Sequence, residues 1–138
     1  MIRLTRRYHF VASHRLHSPQ LSEAENDTTY GKCNNPFGHG HNYTLEVTVA
    51  NPVHSETGQA VPVPALDALI QEQVLSRYDH RNLNEELDEY KFGLVPTTEN
   101  VLACIEEKLR EIWPPRLGSL VRLRLHETAN NTFESTLS

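Results

Sequence analysis

The chain has 138 residues, enough for one domain with a modest core, and we expect a single domain over residues 1–138. Its formal charge of -5 argues against a nucleic-acid-binding surface, because phosphate binding needs a net or clustered positive charge. No apolar stretch approaches the roughly 18–20 residues of a membrane span, and the N-terminus lacks an apolar signal region. We therefore expect no membrane partner and a location in the cytosol.

The two cysteines occur in different settings. Cys104 lies among apolar residues of a predicted helix and is typical of a small buried side chain, whereas Cys33 lies between Lys32 and Asn34 in a polar loop. Two cysteines do not make a disulfide framework, although a Cys33–Cys104 bridge is an alternative.

The first half of the chain alternates apolar and polar residues in two places. One face of the first predicted strand, which His14 closes, consists of Ile2, Leu4, Tyr8, Phe10 and Ala12. Residues Asn42–Ala50 predict a second strand. Residues 15–38 form a long loop between them, with a short helix opened by the capping-box pattern Ser22-Glu23-Ala24-Glu25. A loop of this length in a compact domain is usually functional.

The second half begins with a helix that Pro64 starts and that fades near Tyr78. After a loop at 79–96, Thr97 or Thr98 caps a second amphipathic helix, which Pro114-Pro115 ends. Residues 120–127 and 132–136 are predicted strands separated by a turn. The order β-β-α-α-β-β predicts an α+β fold in which two helices pack on one face of a four-stranded antiparallel sheet.

Three histidines form a candidate metal site. His39 and His41 are two residues apart, and His14 shares the core-facing parity of its own strand. Three imidazoles with one open position are the ligand set of a catalytic zinc site. His17 is a rival third ligand.

Cys33 is six residues before His39 and is better placed as a base or nucleophile than as a ligand. Asp79-His80 follows a predicted helix end. This pair is either a solvated turn or, together with a loop thiol, a relay in which Asp79 orients His80 and His80 takes a proton from Cys33.

Three further residues have a structural and a functional interpretation. Thr98 and Glu99 are typical of a helix start, where hydroxyls cap and an acidic residue favours the helix dipole. Glu127 is either an ion-pair partner of Arg122 or Arg124 or a functional carboxylate. Its parity, opposite to both arginines, argues against pairing within its own strand.

Together, these residues resemble the 6-pyruvoyltetrahydropterin synthase family from about Phe10 to Asn131. The shared motifs are Ala12-Ser13-His14-Arg15-Leu16, Gly31-Lys32-Cys33-Asn34-Asn35-Pro36, Gly38-His39-Gly40-His41-Asn42-Tyr43, Asp79-His80, Thr97-Thr98-Glu99-Asn100 and Glu127-Thr128. The chain departs from the family pattern at Val61-Pro62-Val63-Pro64, which leaves the local shape of the pocket open.

The resemblance implies the tunnelling fold (T-fold), with trimers that join their sheets into a barrel and stack into a homohexamer. It also implies a zinc-dependent lyase that converts 7,8-dihydroneopterin triphosphate to 6-pyruvoyltetrahydropterin and releases triphosphate. By motif position, the implied roles are zinc binding by His14, His39 and His41, proton transfer by Cys33, Asp79 and His80, and substrate binding by Glu127, Thr98 and Glu99.

The implied chemistry fits these residue types. Zinc would acidify bonds next to the substrate hydroxyls, and a Cys33 thiolate with a pKa lowered by nearby positive charge would take the proton. Arg15, Lys32 and Arg81 lie beside motif residues and are candidates for holding the phosphates.

Three alternatives stay open. The nearest is 6-carboxytetrahydropterin synthase, against which the five residues between Cys33 and His39 argue. A cupin-type metal oxygenase would use His39, His41 and Glu46, although Glu46 has the wrong parity. A zinc-stabilised binding module without catalysis would leave Cys33 unexplained.

Overall fold

The computed structural model describes residues 1–137 and contains one five-stranded sheet of order β3-β1-β2-β4-β5. Its strands are β1 (Ile2–His14), β2 (His39–Asn51), β3 (Arg81–Asn82), β4 (Ser119–His126) and β5 (Thr132–Thr136). The four long strands pair antiparallel, as predicted. The additional strand, β3, pairs parallel to β1 over two residues, too few to give an alternation signal.

The β1–β2 ladder determines where the candidate ligands lie. It is in register over the full length of both strands, from Ile2 opposite Asn51 to His14 opposite His39. The second strand therefore begins at His39, three residues before its predicted start. His14 and His39 face each other where the ladder meets the long loop.

Six α-helical segments lie between the strands: α1 (Glu23–Tyr30), α2 (Val63–Ile70), α3 (Ser76–Tyr78), α4 (Leu83–Glu86), α5 (Asp88–Lys91) and α6 (Thr98–Ile112). A π-helical turn at Gln71–Leu75 joins α2 to α3, and the predicted loop at 79–96 contains β3, α4 and α5. The capping box of α1 is confirmed, because the Ser22 hydroxyl accepts from the Glu25 amide while the Glu25 carboxylate accepts from the Ser22 amide. Within residues 1–137, no helix is long and apolar enough to cross a bilayer.

The core lies between one face of the sheet and the helices α2 and α6. The face contributes fully buried side chains at alternate positions of β2 and β4, because side chains alternate between faces with period two. The helices contribute residues at helical spacing. Core members that are essentially inaccessible to solvent include Leu45, Val47, Leu123, Leu125, Leu66, Ile70, Val101 and Leu109.

The helix-free face of the sheet is polar. Its centre is Glu46, whose side chain is 6% exposed and contacts cations on both neighbouring strands. Arg7 on β1 donates to the Glu46 carboxylate at 2.9 Å, and Arg124 and His126 on β4 approach it at 3.4 and 3.2 Å. Burial alone would raise the pKa of Glu46, but the hydrogen bonds from Arg7 and His126 outweigh it and lower that pKa.

Candidate metal centre and surrounding pocket

The three predicted histidine ligands meet at the loop end of β1 and β2. His14, His39 and His41 each have a ring nitrogen that lies within 4.8 Å of a ring nitrogen of the other two. The Nε2 atoms of His14 and His39 are 3.0 Å apart, and the three rings stand at 65–86° to one another. Their parity on the two strands puts all three side chains on the core face, at the end where the core opens to the loop.

His14 is the most strictly oriented of the three. Its side chain is 1% exposed, and its Nδ1 lies 2.7 Å from the carbonyl oxygen of Pro96. A carbonyl can only accept, so Nδ1 carries the ring proton and Nε2 presents a lone pair to the cluster. Burial, the largest cause, lowers the pKa of His14 to about 4, so the ring is neutral at pH 7.

This donor set fits a divalent transition-metal ion. Zinc takes imidazole nitrogens at about 2.0–2.1 Å, which in tetrahedral geometry separates two of them by about 3.4 Å. The observed separation of 3.0 Å between Nε2 atoms is close to that value. The rival ligand, His17, lies outside the cluster, with its Nδ1 accepting a hydrogen bond from the Asn34 amide at 3.0 Å. The histidine triad can thus bind a metal ion.

Glu127 lies directly beside the triad. Its carboxylate is 3.2 Å from Nε2 of His41, and both side chains are about 15% exposed. The alternative pairing with an arginine is absent from residues 1–137, where Arg122 and Arg124 contact Glu134 and Glu46. The parity of Glu127 predicted this separation.

Cys33 lies in the 3₁₀ turn Gly31–Asn34 that ends α1. Its carbonyl accepts from the amide of Leu16, two residues beyond His14, and its thiol is close enough to Glu127 to be affected by that charge. Burial, and then the Glu127 charge, raise the pKa of Cys33. The surroundings of Cys33 within the chain thus act against the predicted lowering of its pKa, which stays a prediction for the metal-bound site. Both cysteines are free, so the alternative of a disulfide is also wrong.

Asp79 and His80 are in contact with each other but anchored to a different part of β1. Asp79 accepts from the amide of Val11 at 2.8 Å, and its second oxygen is 3.1 Å from Nδ1 of His80. The His80 amide donates to the Val11 carbonyl, and the residue has a left-handed φ of 60°. In the part of the chain that the structure describes, no hydrogen bond joins His80 to Cys33.

The start of α6 presents one buried hydroxyl. Thr97 is the N-cap, and its hydroxyl accepts from the Asn100 amide at 3.2 Å. Thr98 is 2% exposed, and its hydroxyl has no hydrogen-bond partner among the described residues. Glu99 is exposed. The Thr98 hydroxyl is thus buried and close enough to Tyr43 to lower the pKa of that phenol in part, whereas Glu99 lies on the surface.

Two neighbours of the triad were not predicted from the sequence. The carbonyl of Pro96 and the hydroxyl of Tyr43 both approach Nδ1 of His14, at 2.7 and 3.5 Å. Tyr43 has the parity of His39 and His41, so a buried hydroxyl next to the ligands was a usable signal. Pro96 contributes a main-chain atom, which a sequence pattern cannot reveal.

A cavity of about 590 Å³ lies on the loop between β1 and β2, and the triad histidines do not line it. Arg15, His17 and Lys32 line it together with the acidic Glu23 and Asp27. Arg81, the third candidate for phosphate contacts, pairs instead with Glu86 at 3.3 Å. The basic side chains of the cavity are therefore Arg15, His17 and Lys32.

The cupin-type arrangement is excluded by the position of Glu46. This residue faces the helix-free side of the sheet, where it binds Arg7 and Arg124, whereas His39 and His41 face the core side. The three cannot share one ion.

Comparisons with known proteins agree with this geometry. The sequence model described as 6-pyruvoyl tetrahydropterin synthase matches residues 3–137. The chain is 45% identical to the 6-pyruvoyl tetrahydrobiopterin synthase of Drosophila melanogaster over 93% of its length and 75% of the relative's. It is 41% identical to the Homo sapiens protein of that name, over 93% and 86% of the two chains.

The fold matches a solved member as well. The structure of Caenorhabditis elegans 6-pyruvoyl tetrahydropterin synthase superposes with a TM-score of 0.89 at 38% identity, covering 99% of this chain and 96% of that one. The α+β architecture is thus the T-fold of that structure, with the short β3 added to the four predicted strands. The chain belongs to the 6-pyruvoyl tetrahydropterin synthase family of enzymes.

Proposed function

We propose that this protein is a zinc-dependent lyase that converts 7,8-dihydroneopterin triphosphate to 6-pyruvoyltetrahydropterin with loss of triphosphate. The observation that carries the proposal is the triad of His14, His39 and His41 next to the Glu127 carboxylate, in a chain of this family. The names of its relatives, 6-pyruvoyl tetrahydrobiopterin synthases at 41–45% identity, favour this activity over neighbouring ones. We expect it to act in the cytosol.

The triad would hold the zinc ion. When bound, zinc would supply a Lewis acid that polarises the side-chain hydroxyls of the substrate and makes the adjacent C–H bond more acidic. The neutral His14, with its Nδ1–H bonded to Pro96, already has the protonation state of a ligand.

Glu127 would anchor the pterin ring. A carboxylate can accept two hydrogen bonds from the 2-amino group and N3 of a pterin, which fixes the orientation of the ring in the pocket. The 14% exposure of the Glu127 side chain strengthens such bonds, because less water competes for the oxygens. The buried hydroxyl of Thr98 is a further candidate contact, and Glu99 is a weaker one because it is exposed.

Cys33 would take the proton from the substrate. Asp79 and His80 would take part in proton transfer during the reaction. Burial and the Glu127 charge raise the pKa of Cys33 and so favour the thiol, which must lose its own proton before it acts as a base. His80 is suited to proton exchange because its imidazole is 79% exposed and Asp79 orients it at 3.1 Å. Arg15 and Lys32, which line the loop cavity, would hold the phosphates.

The test supplies 7,8-dihydroneopterin triphosphate to the zinc-loaded protein and identifies the pterin product by mass spectrometry. We expect 6-pyruvoyltetrahydropterin and one triphosphate per turnover, with little acetaldehyde. Formation of the 6-carboxy product requires cleavage of a carbon–carbon bond. Stoichiometric acetaldehyde with 6-carboxytetrahydropterin would therefore refute the proposed reaction while leaving the metal site in place.

A further inference from the structure

We propose that Thr97 and Asn100 are positioning residues of the metal centre. Through the turn at Val95–Pro96, they hold a main-chain carbonyl against Nδ1 of His14, so that the start of α6 sets the tautomer and direction of one ligand. The inference rests on the proposed metal binding, but its readout is the affinity for zinc rather than turnover.

His14 and Pro96 are in direct contact. Nδ1 of His14 lies 2.7 Å from the Pro96 carbonyl, and both residues are buried, so water cannot substitute for the acceptor. Ligating histidines usually donate their second ring N–H to such a partner, which fixes the ring and raises its basicity. Here the partner is on the loop before α6, and the ligand is on β1.

Hydrogen bonds to the neighbouring Val95 hold the Pro96 carbonyl in position. The Val95 carbonyl accepts two donors, the amide of Thr97 and the side-chain amide of Asn100, each at 2.8 Å. The Thr97 hydroxyl in turn accepts from the amide of Asn100 at 3.2 Å. Pro96 thus lies between Val95 and Thr97, which are hydrogen-bonded to each other. Its ring also restricts its own φ. Thr97 and Asn100 therefore control where the Pro96 oxygen points.

Without this support, Nδ1 of His14 would lose its fixed acceptor. The hydroxyl of Tyr43 is 3.5 Å from Nδ1 of His14 and is the nearest substitute partner. A hydroxyl can donate or accept, so it permits either tautomer of the ring, whereas a carbonyl permits one. If the Pro96 oxygen moves away, His14 loses its preorganisation for a metal ion at Nε2.

Asn100→Asp is the most informative variant. It keeps the shape of the side chain, and an acidic group in the first turn suits the helix dipole, so α6 itself is not weakened. It replaces the donor to the Val95 carbonyl with an oxygen that repels it. Loss of a partner that bonds a metal ligand directly, as the Pro96 carbonyl bonds His14, typically weakens metal binding about 10–100-fold, and Asn100 acts on that partner indirectly. We expect about a tenfold higher Kd for zinc, measured by competition with a chromophoric chelator.

Two variants of Thr97 test its hydroxyl, and a variant of Ser22 on α1 is the control. Thr97→Ala removes the cap and should weaken zinc binding to a similar extent, while Thr97→Ser keeps the hydroxyl and should restore it. Ser22→Ala removes the equivalent cap of α1, whose hydroxyl bonds only the Glu25 amide, and should leave the zinc Kd within twofold. A thermal unfolding midpoint for each variant separates folding from binding.

The outcomes are distinct. If Asn100→Asp and Thr97→Ala bind zinc like the unmodified protein, these residues are helix caps only and the inference is overturned. If the unmodified protein itself does not bind zinc, while His14→Ala is indistinguishable from it, the proposed function fails first and this inference fails with it.

Discussion

Among the individual residues, the three histidines of the triad are not equivalent. His14 is buried and held by Pro96, whereas His39 and His41 are partly accessible and their rings are held mainly by each other and by Glu127. Each contributes one of three ligands, so removing any one leaves two, too few for a stable zinc site.

The ligand count leads to a first prediction. His39→Ala and His41→Ala should each lose most of the zinc, from about one ion per chain, as measured by inductively coupled plasma mass spectrometry after dialysis. His17→Ala is the matched control, because His17 bonds Asn34 outside the cluster, and it should keep its zinc. Full retention of zinc in both triad variants would contradict the assignment.

Substitution of Cys33 distinguishes a thiol that acts as a general base from a thiol that binds the metal ion. Cys33→Ala should retain zinc and the unfolding midpoint but lose about 10²–10⁴-fold in kcat, the usual cost of removing a general base. Cys104→Ala is the control thiol, on α6 and away from the triad, and should keep its turnover. Zinc loss in Cys33→Ala would show that the thiol is a ligand.

Glu127 provides a test of substrate orientation. Glu127→Gln keeps the shape but loses the charge, and one amide cannot accept both hydrogen bonds that a carboxylate accepts from the pterin edge. Hydrogen bonds to charged groups contribute about 1.5–3 kcal/mol, so KM should rise about 10- to 100-fold while zinc stays bound. A variant with unchanged KM would refute the anchor.

The sequence predicted which side chains come together at this end of the sheet, and their roles remain predictions. The parity of His14, His41 and Glu127 was sufficient, because a regular strand preserves parity to its end. Two features could not be predicted. The support of His14 comes from a main-chain carbonyl, and the pKa of Cys33 depends on burial and on the distance to Glu127, which no pattern encodes.

At the scale of elements, the long strands and α6 follow their sequence patterns, and the short segments do not. Thr132–Thr136 matches its predicted range, and Thr97 caps α6 as one of the two predicted residues. The π-helical turn at Gln71–Leu75 and the segments β3, α4 and α5 were missed. Segments of two to five residues are too short for a period, and tertiary contacts decide their conformation.

The ion cluster on the helix-free face ties three strands together and predicts a pH-dependent stability. Glu46→Gln should lower the free energy of unfolding at pH 7 by about 1–3 kcal/mol, since it leaves Arg7 and Arg124 without their buried partner. The pKa of Glu46 is lowered from its ordinary value of 4.5 in the folded state, so its stabilisation is complete above that pH and disappears as the pH falls through the folded pKa.

The measurement is urea denaturation of both proteins between pH 7 and pH 3. The difference between them should shrink below about pH 4.5, and a difference that grows on acidification would contradict the interpretation. The groups facing Glu46 are Arg7 on β1 and Arg124 and His126 on β4, with Glu134 on β5 behind Arg124. Glu134→Gln, at an exposed position, is the control and should cost less than about 1 kcal/mol.

For the molecule as a whole, the edges of the sheet are the main feature still to be explained. β5 forms one edge, and β3 covers β1 only at Ala12 and Ser13, so in the described chain residues 2–10 have a strand partner on one side alone. Long uncovered edges promote pairing with another chain, and closure into a barrel removes them. We therefore expect the homohexamer that the family resemblance implies.

Sedimentation velocity tests this prediction. A single species of about six times the 15.8 kDa chain mass, unchanged over a hundredfold dilution, is the expected result. A stable monomer at all concentrations would contradict it and would mean that the edges are protected in another way.

In the proposed site, three imidazoles and no sulfur hold one zinc ion at the loop end of β1 and β2. X-ray absorption at the zinc edge measures this directly, because nitrogen ligands lie at about 2.0–2.1 Å and a thiolate at about 2.3 Å. For the zinc-loaded protein we predict three imidazole nitrogens from His14, His39 and His41 plus one light ligand, with no sulfur shell. A sulfur scatterer at about 2.3 Å, or fewer than three imidazoles, would contradict the account.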